Sequence, residues 1–545
     1  MEANGYVSMI ERIIKRRLDN PAFTNYKGDT LSFREVGEII YKFQKVFKEI
    51  GIEREEKIAI IGQNTANWAS TYISIIASGY PIVPILPDFH PNDVIHIVNH
   101  SESKLLFTSR ANFDKLDAEK LKGLRGVICI DDFSVLIDET STLTKAMEGV
   151  FETSDKNFDV ENIDFPEVGA EDLMVLSYTS GTSGNSKGVL LPHRSIWSNV
   201  QYAIDKMEMH EGDSILSFLP LAHSYGSLFE FLWPFIEGVH ITFLAKMPSP
   251  NILVEAFGKT KPHLILSVPL ILEKIFKRRI QPTIEKPLIK VLTKTPLINS
   301  LIFSKIRKSL IETFGGRFRE IVIGGAPLNK EVEQFLRKIK FPVTVGYGMT
   351  ECGPLISYEY WHQTKAESAG RAVDRMEIRI DSEDPENIVG EIQVRGDNVH
   401  LGYYKNEEAT KETFTDDGWL HTGDLGIVDA DKILFIKGRS KDMILGPSGQ
   451  NIYPEEIEAI INSKEIIAES VVRERDGRLE ALVYPDYDVC EECKLEGEEL
   501  EKALVELRNE INKELPAYMN ISIITLVDEE FEKTPKRSIK RYKYM

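Results

Sequence analysis

Cysteine is scarce in this chain. Its 545 residues include four cysteines, which are Cys129, Cys352, Cys490 and Cys493. So few cysteines exclude a disulfide framework and are typical of a reducing compartment, so we expect a cytoplasmic protein. Cys490 and Cys493 form one C-x-x-C motif. A structural zinc site has four ligands, and this motif provides only two of them.

Long apolar runs and an excess of basic charge are also lacking. No charge-free apolar run is long enough for a transmembrane helix. The start of the chain, Met1–Gly5, lacks the basic and then apolar layout of a signal peptide. The formal net charge is -19 at pH 7, which argues against broad binding of nucleic acids, since these require a basic face.

The chain is too long for one hydrophobic core, and its apolar runs alternate with helical patterns. This alternation predicts an α/β protein whose large N-terminal domain, 1–437, has parallel sheets covered by helices. Short strands and turns in 374–436 predict a small β portion within it. The sequence after it, 438–545, predicts a small mobile α+β domain.

A loop rich in hydroxyls and glycine lies between two short apolar runs, and a lysine ends it. Its candidate phosphate-binding residues are Thr179, Ser180, Gly181, Thr182, Ser183, Gly184 and Lys187. Glycines let backbone N–H groups converge, and lysine adds a mobile charge, as phosphate binding requires. A Walker A loop is excluded because Gly188 follows the lysine and no helix begins there. The alternative is a surface linker.

A second cluster, 345–353, runs from an apolar strand into Tyr347, Gly348, Thr350 and Glu351. Glycine permits the close approach of a planar ligand, and the tyrosine ring provides a stacking face. A carboxylate beside phosphates is suited to Mg²⁺, which takes few protein carboxylates. The alternative is a strand-end turn with a surface glutamate.

Two further clusters complete the pattern. Asp424 follows a glycine turn and is suited to accepting both hydroxyls of a ribose, and Arg439 comes fifteen residues later. The alternative is a hairpin with aspartate in its turns. Gly325, Ala326 and Pro327 form a small-residue turn after a strand, which either lines a flat base or only joins that strand to a helix.

Together and in this order, the four clusters resemble the adenylate-forming (AMP-binding) superfamily of acyl-CoA synthetases, adenylation domains and firefly-type luciferases. The resemblance covers essentially the whole chain. It implies that 179–187 holds the ATP phosphates, that Asp424 and Arg439 hold the ribose, and that the domains turn about Lys441. It places Tyr347 on adenine beside Gly325, Ala326 and Pro327, and it counts Gly348 and Thr350 among the ATP-binding residues. The residues to which it gives catalytic roles are Lys187, Thr179, Glu351 (also the Mg²⁺ ligand) and His223, the last at the acyl pocket.

The resemblance implies a two-step reaction. A carboxylic acid reacts with ATP to give acyl-AMP and pyrophosphate, and the thiol of CoA then displaces AMP. The ending 531–541 is most similar to long-chain fatty acid–CoA ligases, so the expected acid is a long- or medium-chain fatty acid. One alternative is an enzyme that loads a carrier protein in trans.

The chain departs from the family at two positions. Ser186 stands where proline is usual, and Ser538 stands where the family has the lysine that bridges carboxylate and phosphate. Lys536 and Lys540 lie two residues to either side and are candidates to replace it. A further alternative is therefore a nucleotide- or acyl-binding protein with impaired adenylation.

The segment 274–308 is strongly basic and rich in apolar residues. Its cations are Lys274, Lys277, Arg278, Arg279, Lys286, Lys290, Lys294, Lys305, Arg307 and Lys308, against the single acid Glu285. One interpretation is a weak peripheral contact with the anionic inner surface of a membrane. The alternative is two amphipathic helices that pack their apolar faces on the core.

Overall fold

The computed structural model describes residues 5–152, 158–179, 187–245, 249–284, 296–445, 451–475, 477–493, 495–534 and 539–545. The strands are β1 Pro21–Asn25, β2 Thr30–Ser32, β3 Ile58–Ile61, β4 Ile82–Ile85, β5 Leu105–Thr108, β6 Gly126–Cys129, β7 Val135–Ile137, β8 Leu173–Thr179, β9 Lys187–Pro192, β10 Ser214–Ser217, β11 His240–Phe243, β12 Leu264–Ser267, β13 Glu320–Ile323, β14 Val343–Val345, β15 Tyr347–Gly348, β16 Leu355–Tyr358, β17 Arg371–Ala372, β18 Met376–Asp381, β19 Gly390–Gly396, β20 Leu420–Val428, β21 Leu434–Arg439, β22 Ile444–Leu445, β23 Asn451–Ile452, β24 Ile467–Arg475, β25 Arg478–Pro485 and β26 Ile523–Leu526.

The longer helices, each of nine residues or more, cover these sheets. They span Gly5–Arg17, Phe33–Glu49, Ala66–Ala77, Pro91–Ser101, His193–Lys206, Pro250–Thr260, Pro269–Arg279, Pro296–Thr313, Lys330–Lys338, Pro454–Ser463 and Glu498–Glu514. Shorter helices span Arg110–Phe113, Thr142–Met147, Ser224–Gly226, Trp233–Ile236, Gln281–Ile284, Glu407–Glu412 and Tyr487–Glu492.

Local sequence sets where these helices begin. Ser32 and Glu35 form a reciprocal capping box at the start of Phe33–Glu49. Asn329 accepts hydrogen bonds from the backbone N–H groups of Glu331 and Val332, and it thereby caps Lys330–Lys338. The helix after the candidate phosphate loop begins at His193, directly after Pro192 at the end of β9.

The largest sheet has seven strands in the order β7-β6-β5-β3-β4-β8-β9. Its inner strands are parallel, while β7 and β9 are antiparallel to their neighbours. All four residues of β3 and of β5 are buried, as expected for parallel strands covered on both faces. This sheet positions the phosphate loop, since β8 enters it and β9 leaves it.

Two smaller sheets with parallel strands and two antiparallel sheets complete the large region, and one of the antiparallel sheets is formed by β15, β16 and β17. The strands β10, β11 and β1 are parallel, with β2 antiparallel at the edge. The strands β12, β13 and β14 form a second parallel sheet. The strands β18–β21 form a four-stranded antiparallel sheet, which is the small β portion expected from 374–436. The predicted fold class is confirmed.

The buried apolar residues of the described chain fall into separate clusters. The largest runs from Tyr6 to Leu434, and another runs from Ile444 to Ile521 under the sheet β24–β26. We therefore propose a domain boundary at 437/438, with the hinge at Lys441. In this structure the two regions touch through Lys277 Nζ, 3.3 Å from the Asn462 carbonyl, and Gln281 Nε2, 2.8 Å from Glu465 Oε1.

The basic segment 274–308 is described only in part, since 285–295 lies outside the described residues. Its two ends are helical and bury Ile275, Phe276 and Ile306 in the core, whereas Leu301 is 74% exposed. Core packing thus accounts for part of its apolar content, and the membrane contact stays a prediction. Among the described residues, none of the helices has the length and apolarity needed to cross a bilayer.

Candidate active site

The phosphate loop is a hairpin between β8 and β9. At its base Thr179 lies directly opposite Lys187 in the antiparallel register. Both side chains are therefore held at the mouth of the loop by strand pairing. The loop residues Ser180, Gly181, Thr182, Ser183 and Gly184 lie outside the described residues. The strand–loop–strand layout distinguishes this loop from a helix-capping Walker A loop.

Glu351 lies in a single helical turn, Thr350–Cys352, that follows β15. Its Oε1 accepts a hydrogen bond from the Tyr403 hydroxyl at 3.0 Å. Its backbone carbonyl accepts the N–H of His400 at 2.9 Å. The carboxylate is thus anchored on one side by 400–403.

Buried amides hold the turn that carries Glu351. Asn199 Nδ2 donates to the Cys352 carbonyl at 3.0 Å, and Asn199 Oδ1 accepts the N–H of Leu355 at 2.9 Å. Asn398 Nδ2 donates to the Leu355 carbonyl at 2.7 Å. Both amides are 0% exposed, so the loss of either would leave buried backbone groups without partners.

Tyr347, Asp424 and Arg439 form a connected polar group although they are far apart in sequence. The Tyr347 hydroxyl donates to Asp424 Oδ2 at 2.6 Å. Asp424 and Arg439 are cross-strand partners on β20 and β21, with Asp424 Oδ1 3.5 Å from Arg439 Nε. Burial raises the pKa of Asp424 above its ordinary range, against the opposing effects of the Arg439 charge and the Tyr347 hydrogen bond.

Two glycines of the sequence clusters are required by geometry. A Cβ on Gly348 would lie 2.2 Å from the Pro354 carbonyl oxygen, because β15 approaches β16 closely there. Gly325 has a φ of +87°, in the left-handed region that favours glycine. Gly325, Ala326 and Pro327 are exposed, and Gly325 lines the cavity described next.

A mainly apolar cavity adjoins this group, and its envelope of about 540 Å³ includes space that is open to solvent. His223, Gly325, Tyr347, Gly348 and Thr350 all line it. The remaining wall is formed by Met207, Ser224, Tyr225, Phe229, Leu266, Val322, Ile323, Gly324, Gly346, Met349, Pro354, Leu355 and Tyr358. These described lining residues include no aspartate, glutamate, lysine or arginine. His223 is the N-cap of the short helix Ser224–Gly226, and its Nδ1 accepts a hydrogen bond from the N–H of Tyr225 at 3.3 Å.

The candidate magnesium site fits a phosphate-bound cation better than a protein-caged one. Within the described ranges, no group of three or more His, Cys, Asp or Glu side chains could hold a metal ion. Glu351 accepts a hydrogen bond from the Tyr403 hydroxyl, and the Lys187 ammonium lies over the ring of the same tyrosine. Mg²⁺ commonly takes one or two protein carboxylates and completes its shell with water and substrate phosphates, so Glu351 fits this role.

A protein-family model for AMP-binding enzymes matches residues 10–404. This chain therefore belongs to the AMP-binding enzyme family. The match includes the phosphate loop, the turn of Glu351 and Tyr403. Asp424, Arg439 and everything after them lie beyond the matched residues.

Individual relatives resemble the chain over most of its length. It is 28% identical to 4-coumarate–CoA ligase 1 of Petroselinum crispum over 464 residues, which cover 82% of this chain and 77% of the relative. It is 27% identical to a long-chain-fatty-acid–CoA ligase of Mus musculus over 531 residues, which cover 89% of this chain and 76% of the relative.

Solved structures share the fold. ATP-bound MatB from Rhodopseudomonas palustris superposes with a TM-score of 0.77 at 23% identity and covers 100% of this chain and 98% of that one. An anthranilate CoA ligase in complex with anthranoyl-AMP superposes with a TM-score of 0.79 at 18% identity. The superposition covers 99% of this chain and 96% of that one.

The site also contains residues that the sequence motifs do not reveal. Tyr403, Asn199 and Asn398 contact the turn of Glu351, but each lies in an ordinary helical or loop stretch far from it in sequence. No spacing pattern identifies a hydrogen bond between residues 52 positions apart.

The Asp424 geometry predicts how ATP affinity responds to substitution and to pH. We expect Asp424→Asn to weaken ATP binding about tenfold or more, since hydrogen bonds to a charged acceptor contribute about 1.5–3 kcal/mol. Because the pKa of Asp424 is raised, the carboxylate of the wild type should gain its proton earlier on acidification than an ordinary aspartate. ATP affinity, measured by calorimetry, should therefore fall as the pH is lowered, and this fall should be absent in Asp424→Asn.

The matched control is Arg439→Ala. The Arg439 side chain is 67% exposed, so its loss should weaken ATP binding less than the loss of the Asp424 charge. Equal ATP affinity in Asp424→Asn and the wild type would contradict the assignment of Asp424 to the ribose.

Proposed function

We propose that this family member is an ATP-dependent acid–CoA ligase that activates a medium- or long-chain fatty acid. The observation that carries the proposal is the apolar cavity, which shares Tyr347, Gly348 and Thr350 with the candidate nucleotide site. An acid whose chain fills this cavity would present its carboxylate beside the phosphates. The CoA ligases among the relatives support the same reaction class.

The wall chemistry favours an unsubstituted chain over a polar acid. A second carboxylate would be buried among the described wall residues without a charged partner, which costs free energy. Each methylene buried there contributes about 0.8 kcal/mol, so affinity should rise with chain length until the cavity is filled.

In the proposed first step, a carboxylate oxygen of the acid attacks the α-phosphorus of ATP. The bond from this phosphorus to the oxygen that bridges to the β-phosphate breaks, and pyrophosphate leaves. Lys187 and Thr179, at the mouth of the loop, would bind the phosphates, and Glu351 would hold the cation. Mg²⁺ supplies positive charge to the leaving pyrophosphate when it is bound. Catalysis then consists largely of positioning and charge neutralisation.

In the proposed second step, the sulfur of CoA attacks the acyl carbonyl carbon. The bond from this carbon to the AMP oxygen breaks, the thiol proton is released, and AMP leaves. His223, which lines the cavity, would contact the acyl carbonyl. Transfer to a carrier protein uses the same chemistry, and we keep it as the second candidate because the thiol source is outside the described site.

Incubation with ATP, Mg²⁺, CoA and a panel of acids tests the function. We expect acyl-CoA and AMP from saturated fatty acids, with kcat/KM rising from short chains to medium or long ones, and little product from 4-coumarate, benzoate or malonate. Mass spectrometry identifies the products. Faster turnover of an aromatic or dicarboxylic acid would contradict the fatty-acid proposal, and binding of ATP and acid without AMP release would indicate a protein impaired in adenylation.

A cavity variant with a matched control links the substrate to this wall. A Cβ on Gly324 would lie 2.9 Å from the Tyr225 ring, so Gly324→Ala must displace that ring within the cavity wall. The KM for the acid should rise while ATP affinity stays constant. In the control Gly258→Ala, the added methyl meets nothing within 4 Å and should leave both unchanged.

The substituted lysine position needs its own test. Lys536 and Ser538 lie outside the described residues, while Lys540 Nζ lies 3.6 Å from Glu532 Oε2 and is held at the base of a hairpin where Lys533 pairs with Ile539. We therefore expect Lys536 to replace the missing lysine, and Lys536→Ala to slow pyrophosphate exchange at least tenfold. Lys540→Ala should have a smaller effect.

Lys543→Ala is the control, since Lys543 also pairs with Glu532. Ser538→Lys should accelerate exchange if this position faces the phosphates. Normal exchange in both Lys536→Ala and Lys540→Ala would rule out compensation by a neighbouring lysine.

A further inference from the structure

Tyr403 lies between the two charged groups of the phosphate site. Its hydroxyl donates to Glu351 Oε1 at 3.0 Å. The ammonium of Lys187 lies over its ring, 4.9 Å from the ring centroid. One side chain therefore contacts both the cation that is expected to bind phosphate and the carboxylate that is expected to bind Mg²⁺.

The backbone around Tyr403 connects the same two elements. Leu190 N–H donates to the Gly402 carbonyl at 3.0 Å, Leu401 N–H donates to the Leu190 carbonyl at 2.9 Å, and Tyr404 N–H donates to the Gly188 carbonyl at 2.8 Å. On its other side this segment reaches the Glu351 turn through the N–H of His400. The segment 400–404 thus runs as an added strand along β9 and bridges it to Glu351.

The Tyr403 side chain is itself held in place. Its backbone N–H donates to Thr410 Oγ1 at 2.8 Å, and its ring centroid lies 5.1 Å from that of His400. Burial, followed by the charge of Glu351, raises the pKa of Tyr403 well above its usual value. The hydroxyl therefore remains a donor throughout the physiological pH range.

These contacts have a chemical consequence for each partner. A hydrogen bond to Oε1 restricts the rotation of the Glu351 carboxylate. An aromatic face beneath an ammonium stabilises it by about 0.5–2 kcal/mol and favours one extended conformation of a flexible side chain. If the Lys187 ammonium and the Glu351 carboxylate are already held in place, the protein avoids the reorganisation that two mobile side chains would need on binding Mg²⁺ and ATP.

We propose that Tyr403 is a positioning residue that holds Lys187 and Glu351 in register, its hydroxyl setting the Mg²⁺ response through Glu351 and its ring setting phosphate affinity through Lys187. The inference rests on the proposed function in one respect, namely that ATP binds at this site. It assigns separate roles to two parts of one side chain, so two substitutions can separate them.

Calorimetric titration of the full chain with ATP, in EDTA and in Mg²⁺, tests the proposal. In the wild type, Mg²⁺ should strengthen ATP binding. Tyr403→Phe should reduce this strengthening about tenfold and leave affinity in EDTA unchanged, because only the hydrogen bond to Glu351 is lost. Tyr403→Leu should also weaken binding in EDTA about threefold, since the ring beneath Lys187 is lost.

The matched control is Tyr404→Phe, whose lost hydroxyl donates to Glu102 Oε2 at 2.9 Å rather than to Glu351. It should bind ATP as the wild type does in both conditions. A Tyr403→Phe protein with wild-type affinity in both conditions would overturn the proposal. This result decides the matter even if Tyr403→Leu fails to fold, because Tyr403→Phe removes a single oxygen.

The proposed function and this inference fail differently. If the wild type binds no ATP, the proposed function is wrong and Tyr403 has no phosphate site to order. If the wild type binds ATP more tightly with Mg²⁺ and Tyr403→Phe does the same to the same extent, only the role of Tyr403 is wrong.

Discussion

The hydrogen bonds between β9 and the segment 400–404 are the constraint on which the site depends. β9 belongs to the seven-stranded sheet and begins at Lys187, the last residue of the phosphate loop. The segment beside it carries Tyr403 and contacts the Glu351 turn. The helix His193–Lys206 provides a second link between the phosphate loop and Glu351, since its Asn199 holds the same turn. Strand pairing and buried amides therefore set the distance between the charged groups.

A second level of organisation joins the nucleotide and acyl sites. Tyr347 donates to Asp424 through its hydroxyl while it lines the apolar cavity. Because the same residue serves both sites, an acid in the cavity and a nucleotide beside Asp424 would meet at a defined place. A residue shared by the two proposed sites favours a reaction between their ligands over independent binding of each ligand. We therefore prefer a ligase to a simple nucleotide-binding protein.

Much of the fold could be predicted from the sequence because its signals are local. The buried runs of β3 and β5 and the caps Ser32 and Asn329 depend on neighbouring residues alone. The site was predictable only as separate fragments. The pairing of Asp424 with Arg439 requires the register of β20 and β21, and the contact of Tyr403 with Glu351 requires the packing of distant segments. Contacts between distant segments leave no periodic pattern in the sequence, so they cannot be predicted from it. The chain length that fills the cavity is set by its walls, which come from at least four separate stretches.

The most direct measurement is a single turnover with a saturated fatty acid, ATP and Mg²⁺ in the absence of CoA, with the nucleotide products separated by chromatography. We expect acyl-AMP and pyrophosphate in equal amounts, followed by conversion to acyl-CoA and AMP when CoA is added. Formation of ADP and phosphate, or no acyl-AMP with any fatty acid despite measurable ATP binding, would contradict the assignment of this site to acid activation.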